Sequence, residues 1–387
     1  MKIAYFSQPF FADCDFPLIR EMQSRNMSVR YYMPIGYNFS KSSILEMEKP
    51  IRKWGIYKAS KIKQMEKYRD CVDLNSLYLI CGRNRSWWPF TWLLWICVYF
   101  HIWFYHADIL HIVWQLKGWE KILFYLPGVA KKVMTVHDPL QHSSTINERM
   151  EENARLKSFK WADFFMLLNE QQVDVFSKTY NIEKNRIFVS KLGAYDSIKY
   201  LNIPKKSVSD KPYILFFGQI IPHKGIEYLM DAMLKVNEQC NNVNLLIAGK
   251  GKIYFNMTKY AGKEFIIIEN RYIGITELVG MVSNSLFVVC PYKDATQSGV
   301  VQTAFALDIP IVATNVGALP NMVKDEVYGK IVPPCDSDAL AAAMIELINN
   351  KEKLRAFKDN IKSQWSSSMS WTAIVEDYVR LYEKNLA

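Results

Sequence analysis

The sequence predicts an α/β protein with two doubly wound domains, each built on a parallel sheet. Short continuous apolar runs, rich in β-branched and aromatic residues, alternate with segments of helical periodicity, which is typical of strands buried on both faces. Six such runs lie on each side of a polar stretch, residues 197–211, which we interpret as a linker. This organisation predicts a cleft between the two domains, with ligands at the carboxyl ends of the strands.

The individual elements follow from the same pattern. In the first half the predicted strands are residues 2–6, 29–33, 109–113, 133–136, 164–168 and 187–190; in the second half they are residues 213–217, 243–248, 265–268, 286–290, 311–314 and 330–332. Clear helices are expected at residues 226–238, 340–349 and 351–364. We therefore expect domains at residues 1–196 and 212–370, with the last segment, residues 371–387, forming a helix that packs back on the first domain.

Composition excludes several classes of protein. The chain has 387 residues, of which 50% are hydrophobic and 22% charged, so it can bury large cores and is not disordered. Its seven cysteines are scattered without a CxxC pair, which argues against a disulfide scaffold or structural zinc and favours a reducing compartment. The N-terminal residues MKIAYFSQPFF are typical of a first strand rather than a signal peptide. These observations predict a cytoplasmic protein.

Positive charge is concentrated in one region of the chain. Residues 41–132 contain 15 Lys and Arg against 7 Asp and Glu, a net +8 of the total +10. Such a region indicates an anionic partner, either nucleic acid, anionic lipid or a phosphorylated substrate, or else ordinary solvated helix faces. No nucleic-acid-binding module accompanies it, and we therefore expect no nucleic acid partner.

An aromatic segment lies inside the basic region. Residues 87–105 contain 16 apolar residues out of 19, ten of them aromatic, which is long enough for a membrane span. A strand that must rejoin the same sheet follows almost at once, which argues against spanning. Two alternatives stay open: a helix buried among its neighbours, or a helix with one face on the sheet and the other in a bilayer interface. Residues 49–69, with eight cations and one acid, favour the second as a cationic amphipathic helix.

Candidate ligand-binding residues follow three of the predicted strands. The strand at 213–217 leads into a loop with Gly218 and Lys224. The strand at 286–290 leads to Asp294 and then to Ser298, which is a typical helix N-cap; the free N–H groups of the next three residues would bind an anion. The strand at 133–136 ends in His137 and Asp138, a titratable pair. The sequence contains no P-loop, dinucleotide fingerprint or GxSxG motif.

These motifs resemble those of the GT-B fold retaining glycosyltransferases of family 4 (glycosyl transferases group 1). The resemblance is strongest over residues 213–335, in FGQIIPHKGIEYLMDAM, VNLLIAGKG and LFVVCPYKDATQSGVVQTAFALDIPIVATNVGALPNMV. It implies a nucleotide-sugar donor, UDP- or GDP-linked, no metal or other cofactor, and a saccharide acceptor. The residues that it implies are catalytic His137, Lys224 and Asp294, and donor-binding Gly218, Gln219, His223, Lys224, Arg271, Tyr272, Ile273, Asp294, Ser298, Gly299, Val300, Val301 and Gln302.

The chain departs from the family pattern in three places. The E-x7-E motif maps onto Asp294 and Gln302, so the first carboxylate is shorter and the second position is uncharged. The arginine usual beside the KG lysine is Gln219 here, and the loop at residues 8–15 lacks the usual glycine pair. Together with the basic and aromatic segments at 49–105, the resemblance predicts a peripheral enzyme on the cytosolic membrane face that glycosylates a lipid-linked saccharide in polysaccharide assembly. An inactive nucleotide-binding or scaffold subunit and a sugar-nucleotide epimerase are the alternatives.

Overall fold

The computed structural model of the chain describes residues 1–83, 88–137, 148–201, 209–295 and 298–384. These residues form two compact units. The first unit comprises Met1–Gly193 together with Met369–Ala387, and the second unit comprises Ala194–Ser368. Each unit is an α/β assembly around its own sheet, so the predicted fold class is confirmed.

The strands are β1 (Lys2–Phe6), β2 (Ser28–Gly36), β3 (Lys41–Ser42), β4 (Leu45–Glu46), β5 (Gly55–Lys58), β6 (Leu77–Gly82), β7 (Ile109–Ile112), β8 (Lys131–Val136), β9 (Phe164–Leu167), β10 (Ile187–Val189), β11 (Tyr213–Phe217), β12 (Asn244–Ala248), β13 (Ile266–Glu269), β14 (Val288–Cys290), β15 (Ile311–Thr314) and β16 (Gly329–Val332). The α-helices are α1 (Ala12–Ser24), α2 (Pro89–Trp103), α3 (Glu148–Trp161), α4 (Val173–Tyr180), α5 (Ile226–Gln239), α6 (Ile275–Ser283), α7 (Gly299–Ala306), α8 (Leu319–Val323), α9 (Ser337–Asn349), α10 (Lys351–Asn360), α11 (Ser366–Ser368) and α12 (Trp371–Glu383).

The first unit is built on an eight-stranded sheet in the order β10-β9-β8-β7-β1-β2-β6-β5, parallel except for β5. The strand order reverses beside β1, which lies between β2 and β7 and makes the switch point of this sheet. Helix α12 belongs to this unit, where Glu376 accepts a 2.5 Å ion-pair hydrogen bond from Arg25 at the end of α1. The buried imidazole of His111 joins the same helix through Tyr382 and the sheet through Thr135.

The prediction of a cationic amphipathic helix at residues 49–69 is wrong. They form no amphipathic helix: β5 is an edge strand that pairs antiparallel with β6, and two 3₁₀ helices, Ala59–Lys61 and Lys63–Tyr68, follow it. Neither β5 nor β6 was predicted. Strand β6 is fully buried and supplies the backbone partners of β5, whose lysine is typical of an edge strand. Pairing with β6 therefore stabilises a strand here, although the spacing of the charged residues predicts a helix.

Helix α2 turns one face to the core and leaves the other exposed. Leu94, Val98 and Ile102 are buried in the core of the first unit, whereas the exposed face carries Trp92, Phe100 and Trp103. Phe104, which caps the helix at its C-terminus, has 68% of its surface exposed. The alternative of a fully buried helix is therefore wrong. Of the described helices, none has the length and hydrophobicity that crossing a bilayer requires.

The second unit contains a six-stranded parallel sheet in the order β13-β12-β11-β14-β15-β16. Each of its strands was predicted from the sequence to within two residues, because every one is a compact apolar run between a helix and a loop. The switch point lies between β11 and β14, which are adjacent in the sheet although β12 and β13 separate them along the chain.

Candidate active site

Two loops of the second unit leave the sheet at its switch point. Strand β11 continues into residues 218–225, and β14 continues into residues 291–298, of which 296 and 297 lie outside the described residues. The backbone N–H of Lys293 donates to the carbonyl oxygen of His223 at 2.8 Å and joins the two loops. Because ligands of open α/β sheets bind outside the carboxyl ends of the strands at such points, these loops form the candidate site.

Gly225 lets the two loops approach each other. Its φ is +62°, and a Cβ placed on it would lie only 2.1 Å from the carbonyl oxygen of Pro291. Gly317, with φ of +51°, is similar: its Cβ would lie 1.5 Å from the carbonyl oxygen of Ala295. Both positions therefore require glycine, for the backbone conformation and for the space.

Lys224 is held over an aromatic ring inside this site. Its Nζ lies 3.5 Å from the ring centroid of Tyr292, which is completely buried. Burial lowers the pKa of Lys224 from its ordinary value, and no carboxylate of the described part of the chain forms an ion pair with it. A partly desolvated ammonium without a carboxylate partner is well suited to bind an anion.

The start of α7 lies beside the first loop. A Cβ on Gly218 would be 3.7 Å from Cγ2 of Val300, so the backbone of this glycine lies next to the helix. Ser298 occupies the N-cap position in an extended conformation, but its side chain is buried and makes no capping hydrogen bond, contrary to the prediction. The first N–H groups of the helix, on Gly299 and the two residues after it, lack partners within the helix and can bind an anion.

The two positions of the E-x7-E motif differ in exposure. Asp294 is exposed on the loop after β14. Gln302 lies within α7 and is only 3% exposed, so its amide is packed in the unit rather than displayed at the surface. Gln219 and His223 are exposed on the loop after β11. The structure thus places Gly218 next to the start of α7, and Lys224 in the same loop over the ring of Tyr292.

The residues predicted to lie near the nucleotide base follow β13. The guanidinium of Arg271 binds Glu269 at 2.9 Å and Glu277 at 2.8 Å, and these carboxylates raise its pKa. Tyr272 is exposed and Ile273 half-buried. Strand β12 separates β13 from β11, so this segment lies two strands from Lys224, about 10 Å along the sheet edge. The charge of Arg271 is engaged in structural ion pairs.

In the first unit, His137 follows β8 and stacks on Phe11, with 4.0 Å between the ring centroids and 19° between the planes. Phe11 also contacts Phe10 and Trp114, which come from the loops after β1 and β7 at the switch point of this sheet. Burial lowers the pKa of His137 to about 3, so the imidazole is neutral at physiological pH. Asp138, its predicted titratable neighbour, lies outside the described residues.

Some residues around these sites were not found from the sequence. They are Tyr292 beneath Lys224, the aromatic partners of His137, and two arginines, Arg52 and Arg83, that line a cavity of the first unit. A signal existed for Arg83, which directly follows β6, a strand that was not predicted. Over the described ranges, no three His, Cys, Asp or Glu side chains are grouped to hold a metal ion.

Comparison with known proteins supports the interpretation of the second unit. Residues 200–364 match the family model of glycosyl transferases group 1. A glycosyltransferase of Methanocaldococcus jannaschii, MJ1178, is 27% identical over 204 residues, which are 52% of this chain and 54% of the relative. A phosphatidyl-myo-inositol mannosyltransferase of Mycobacterium leprae is 29% identical over 175 residues, 44% of this chain and 46% of the relative. The chain thus spans about half the length of these relatives.

The structural comparison covers both units, whereas the family model matches only residues 200–364. The crystal structure of Anabaena Alr3699/HepE in complex with UDP-glucose matches 99% of this chain and 100% of its own with a TM-score of 0.63, at 14% identity. At this identity the match shows the fold alone, which is the GT-B fold of glycosyltransferases. Residues 200–364 are thus similar to the glycosyl transferases group 1 family, and the described chain as a whole has the GT-B fold.

Proposed function

We propose that this protein is a retaining, metal-independent glycosyltransferase of family 4, which transfers a sugar from a nucleotide-sugar donor to a saccharide acceptor. The observation that carries the proposal is the position of Lys224. Its ammonium lies over Tyr292 at the switch point of the unit that matches the group 1 family, and the same loop contains Gly218, which lies next to the start of α7. This arrangement provides the positive potential that a nucleotide diphosphate requires.

The chemistry follows from charge stabilisation. The bond between the anomeric carbon and the donor diphosphate breaks, and the diphosphate leaves with the electron pair. The acceptor hydroxyl oxygen bonds to the anomeric carbon on the same face, and its proton passes to the departing diphosphate. Lys224 and the N–H groups of residues 299–301, with His223, stabilise the negative charge that develops on the diphosphate.

Other residues have positioning roles in this proposal. Asp294 accepts hydrogen bonds from hydroxyls of the donor sugar, and the neutral His137 orients the transferred sugar. Gln302 hydrogen-bonds the ribose, and residues 271–273 contact the base through the backbone. Because Gln219 replaces an arginine, one positive charge on the diphosphate is absent, and Lys224 carries more of the stabilisation.

The donor is tested by thermal shift. The purified chain is heated with UDP, GDP, ADP, CMP and their common sugar conjugates. A nucleotide that binds only the folded state at 100 times its Kd adds about 2.7 kcal/mol, which raises the melting temperature by several degrees. We expect one nucleotide to do so, with slow hydrolysis of its sugar conjugate. UDP is the first choice, because the structurally similar HepE is named as a complex with UDP-glucose.

The same screen separates the alternatives. A shift without hydrolysis or transfer favours an inactive nucleotide-binding subunit, for which the uncharged Gln219 and Gln302 are the specific observations. Conversion of the sugar nucleotide into an isomer without any acceptor favours an epimerase. If no nucleotide shifts the melting temperature, the proposed function is wrong.

We further propose that the acceptor is lipid-linked and that the enzyme works peripherally on the cytosolic membrane face, in the assembly of a cell-surface polysaccharide. The exposed aromatic face of α2 supports this, as do the exposed lysines Lys53, before β5, and Lys58, at its end. The indole of Trp54, just before β5, donates a hydrogen bond at 3.3 Å to the carbonyl oxygen of Phe90 in α2, so the cations and the aromatic face are neighbours. Aromatic rings at headgroup depth and nearby cations are the two signals that hold a peripheral protein on anionic lipid.

Membrane binding is tested by vesicle flotation. We expect the chain to bind vesicles with 30% anionic lipid, and the double variant Lys53→Glu, Lys58→Glu to bind at least tenfold more weakly, because each cation near the surface contributes about 1 kcal/mol. Lys178→Glu on α4, an exposed lysine far along the chain from this face, is the matched control and should bind as the unmodified chain does. Equal binding of all three proteins to the vesicles would contradict the proposal that this surface binds the membrane.

A further inference from the structure

A large cavity of the first unit lies at the carboxyl ends of its strands. It has a volume of about 950 Å³ and is formed by the loops after β1, β2 and β6, together with β3 and the segment before β5. Three aromatic and three cationic side chains line it, namely Phe10, Tyr37, Phe39, Lys41, Arg52 and Arg83. This volume is at the upper end of ordinary ligand sites and far exceeds what a single phosphate fills.

From this lining we infer that the cavity binds a phosphorylated saccharide, with the phosphate or diphosphate on Arg52 and Arg83 and the sugar against the aromatic side chains. The inference rests on the proposed function, for which it names the chemical class of the acceptor: a glycosyl phosphate or diphosphate, either free or attached to a lipid.

The charges of the side chains that line the cavity favour an anionic ligand. None of the described residues that line the cavity is an aspartate or glutamate. Neither Arg52 nor Arg83 forms an ion pair with a carboxylate of the described residues. Two arginines without a carboxylate partner favour an anionic ligand, and the planar guanidinium matches the oxygens of a phosphate in a bidentate manner.

Arg83 is also positioned before any ligand arrives. Its guanidinium lies 5.0 Å from the ring of Trp88 and 5.8 Å from the ring of Tyr37. Two aromatic faces restrict the side chain, so less conformational entropy is lost when it binds an anion. Trp88 directly precedes α2, and the cavity therefore lies next to the start of the helix whose exposed face we assign to the membrane.

A series of ring contacts connects the aromatic lining of the cavity with His137. Phe10 is 45% exposed and lines the cavity, its ring lies 4.4 Å from that of Phe11, and Phe11 stacks on His137. Exposed aromatic faces are suited to the apolar faces of sugar rings. A ligand with its phosphate on the arginines would therefore extend its sugar along Phe10 toward the histidine.

The test uses the full chain, saturated with the nucleotide that gives the largest thermal shift so that the donor site is filled. Glucose 1-phosphate, methyl α-glucoside and geranyl diphosphate are titrated by calorimetry. We expect glucose 1-phosphate to bind and methyl α-glucoside, which has no phosphate, to bind at least tenfold more weakly. The double variant Arg52→Gln, Arg83→Gln should lose at least tenfold in affinity for glucose 1-phosphate, whereas Lys53→Gln, a neighbouring cation outside the cavity lining, should not.

The outcomes distinguish a lipid-linked ligand from a soluble sugar phosphate. They also distinguish failure of the inference about the cavity from failure of the proposed function. Geranyl diphosphate binding more tightly than glucose 1-phosphate indicates a lipid-linked ligand, and the reverse order indicates a soluble sugar phosphate. If the double variant melts like the unmodified chain and still binds glucose 1-phosphate equally well, the inference is wrong. The nucleotide-induced thermal shift of the double variant should equal that of the unmodified chain. If the unmodified chain itself shows no such shift, the proposed function is refuted rather than the inference about the cavity. In that case the titration is run without nucleotide and still tests the cavity.

Discussion

Lys224→Ala should lower turnover by a factor of about 10² or more while the protein stays folded. The reason is electrostatic: the ammonium over Tyr292 is a preorganised positive charge, and removing one preorganised contact to developing charge typically costs this much. Lys224 lies in a loop and is only half-buried, so we expect little loss of stability from packing. The measurement is release of nucleotide from the sugar donor, with and without acceptor, at saturating donor.

Two further variants make this result specific. Lys224→Arg keeps the charge and should retain more activity than Lys224→Ala, although the larger guanidinium fits the ring less well. Lys235→Ala removes a half-buried lysine of the same unit that lies on α5 and is paired with Asp338, and its turnover should be unchanged. Unchanged turnover in Lys224→Ala would refute the role assigned to this residue.

Gly225→Ala should both destabilise the second unit and weaken nucleotide binding. An alanine at φ of +62° costs about 1–2 kcal/mol, and its Cβ would meet the carbonyl oxygen of Pro291 at 2.1 Å. Because that contact is with backbone, the loop after β14 must move, at a further cost of about 1–3 kcal/mol. The movement separates the loop from Lys224, and we expect nucleotide affinity to fall at least tenfold.

Gly262→Ala is the matched control for this prediction. Gly262 has φ of +72°, close to that of Gly225, but a Cβ there would meet no atom within 4 Å. Its variant should therefore lose only the conformational part of the free energy of unfolding and bind nucleotide normally. Chemical unfolding and nucleotide titration of both variants provide the comparison. Equal destabilisation and equal affinity would mean that the contact with Pro291 is unimportant.

Prediction from the sequence worked best where the signal is local. The strands of the second unit are apolar runs of ordinary length, and β11, β12 and β15 begin and end within a residue of the prediction. The loops that follow β11 and β14 could also be identified, since turn residues and a helix start come directly after each strand.

Prediction failed where the partner of a segment is distant. Residues 49–69 have the charge pattern of an amphipathic helix, but β5 is stabilised by pairing with β6, some 20 residues later. Ser298 has the position of an N-cap, yet its side chain is buried and does not act as one. In both cases local propensity contributes less to the free energy of folding than burial and long-range hydrogen bonding do.

The sequence by itself therefore determined the α/β class, the strands of the second unit and the likeness to group 1 glycosyltransferases, because periodicity and motif spacing are local properties. Only the tertiary structure placed Lys224 over Tyr292, buried Gln302, and brought Arg52 and Arg83 to one cavity. These arrangements depend on which strands become neighbours in a sheet. That choice is made by burial and hydrogen bonding between residues far apart in the chain, which no local pattern records.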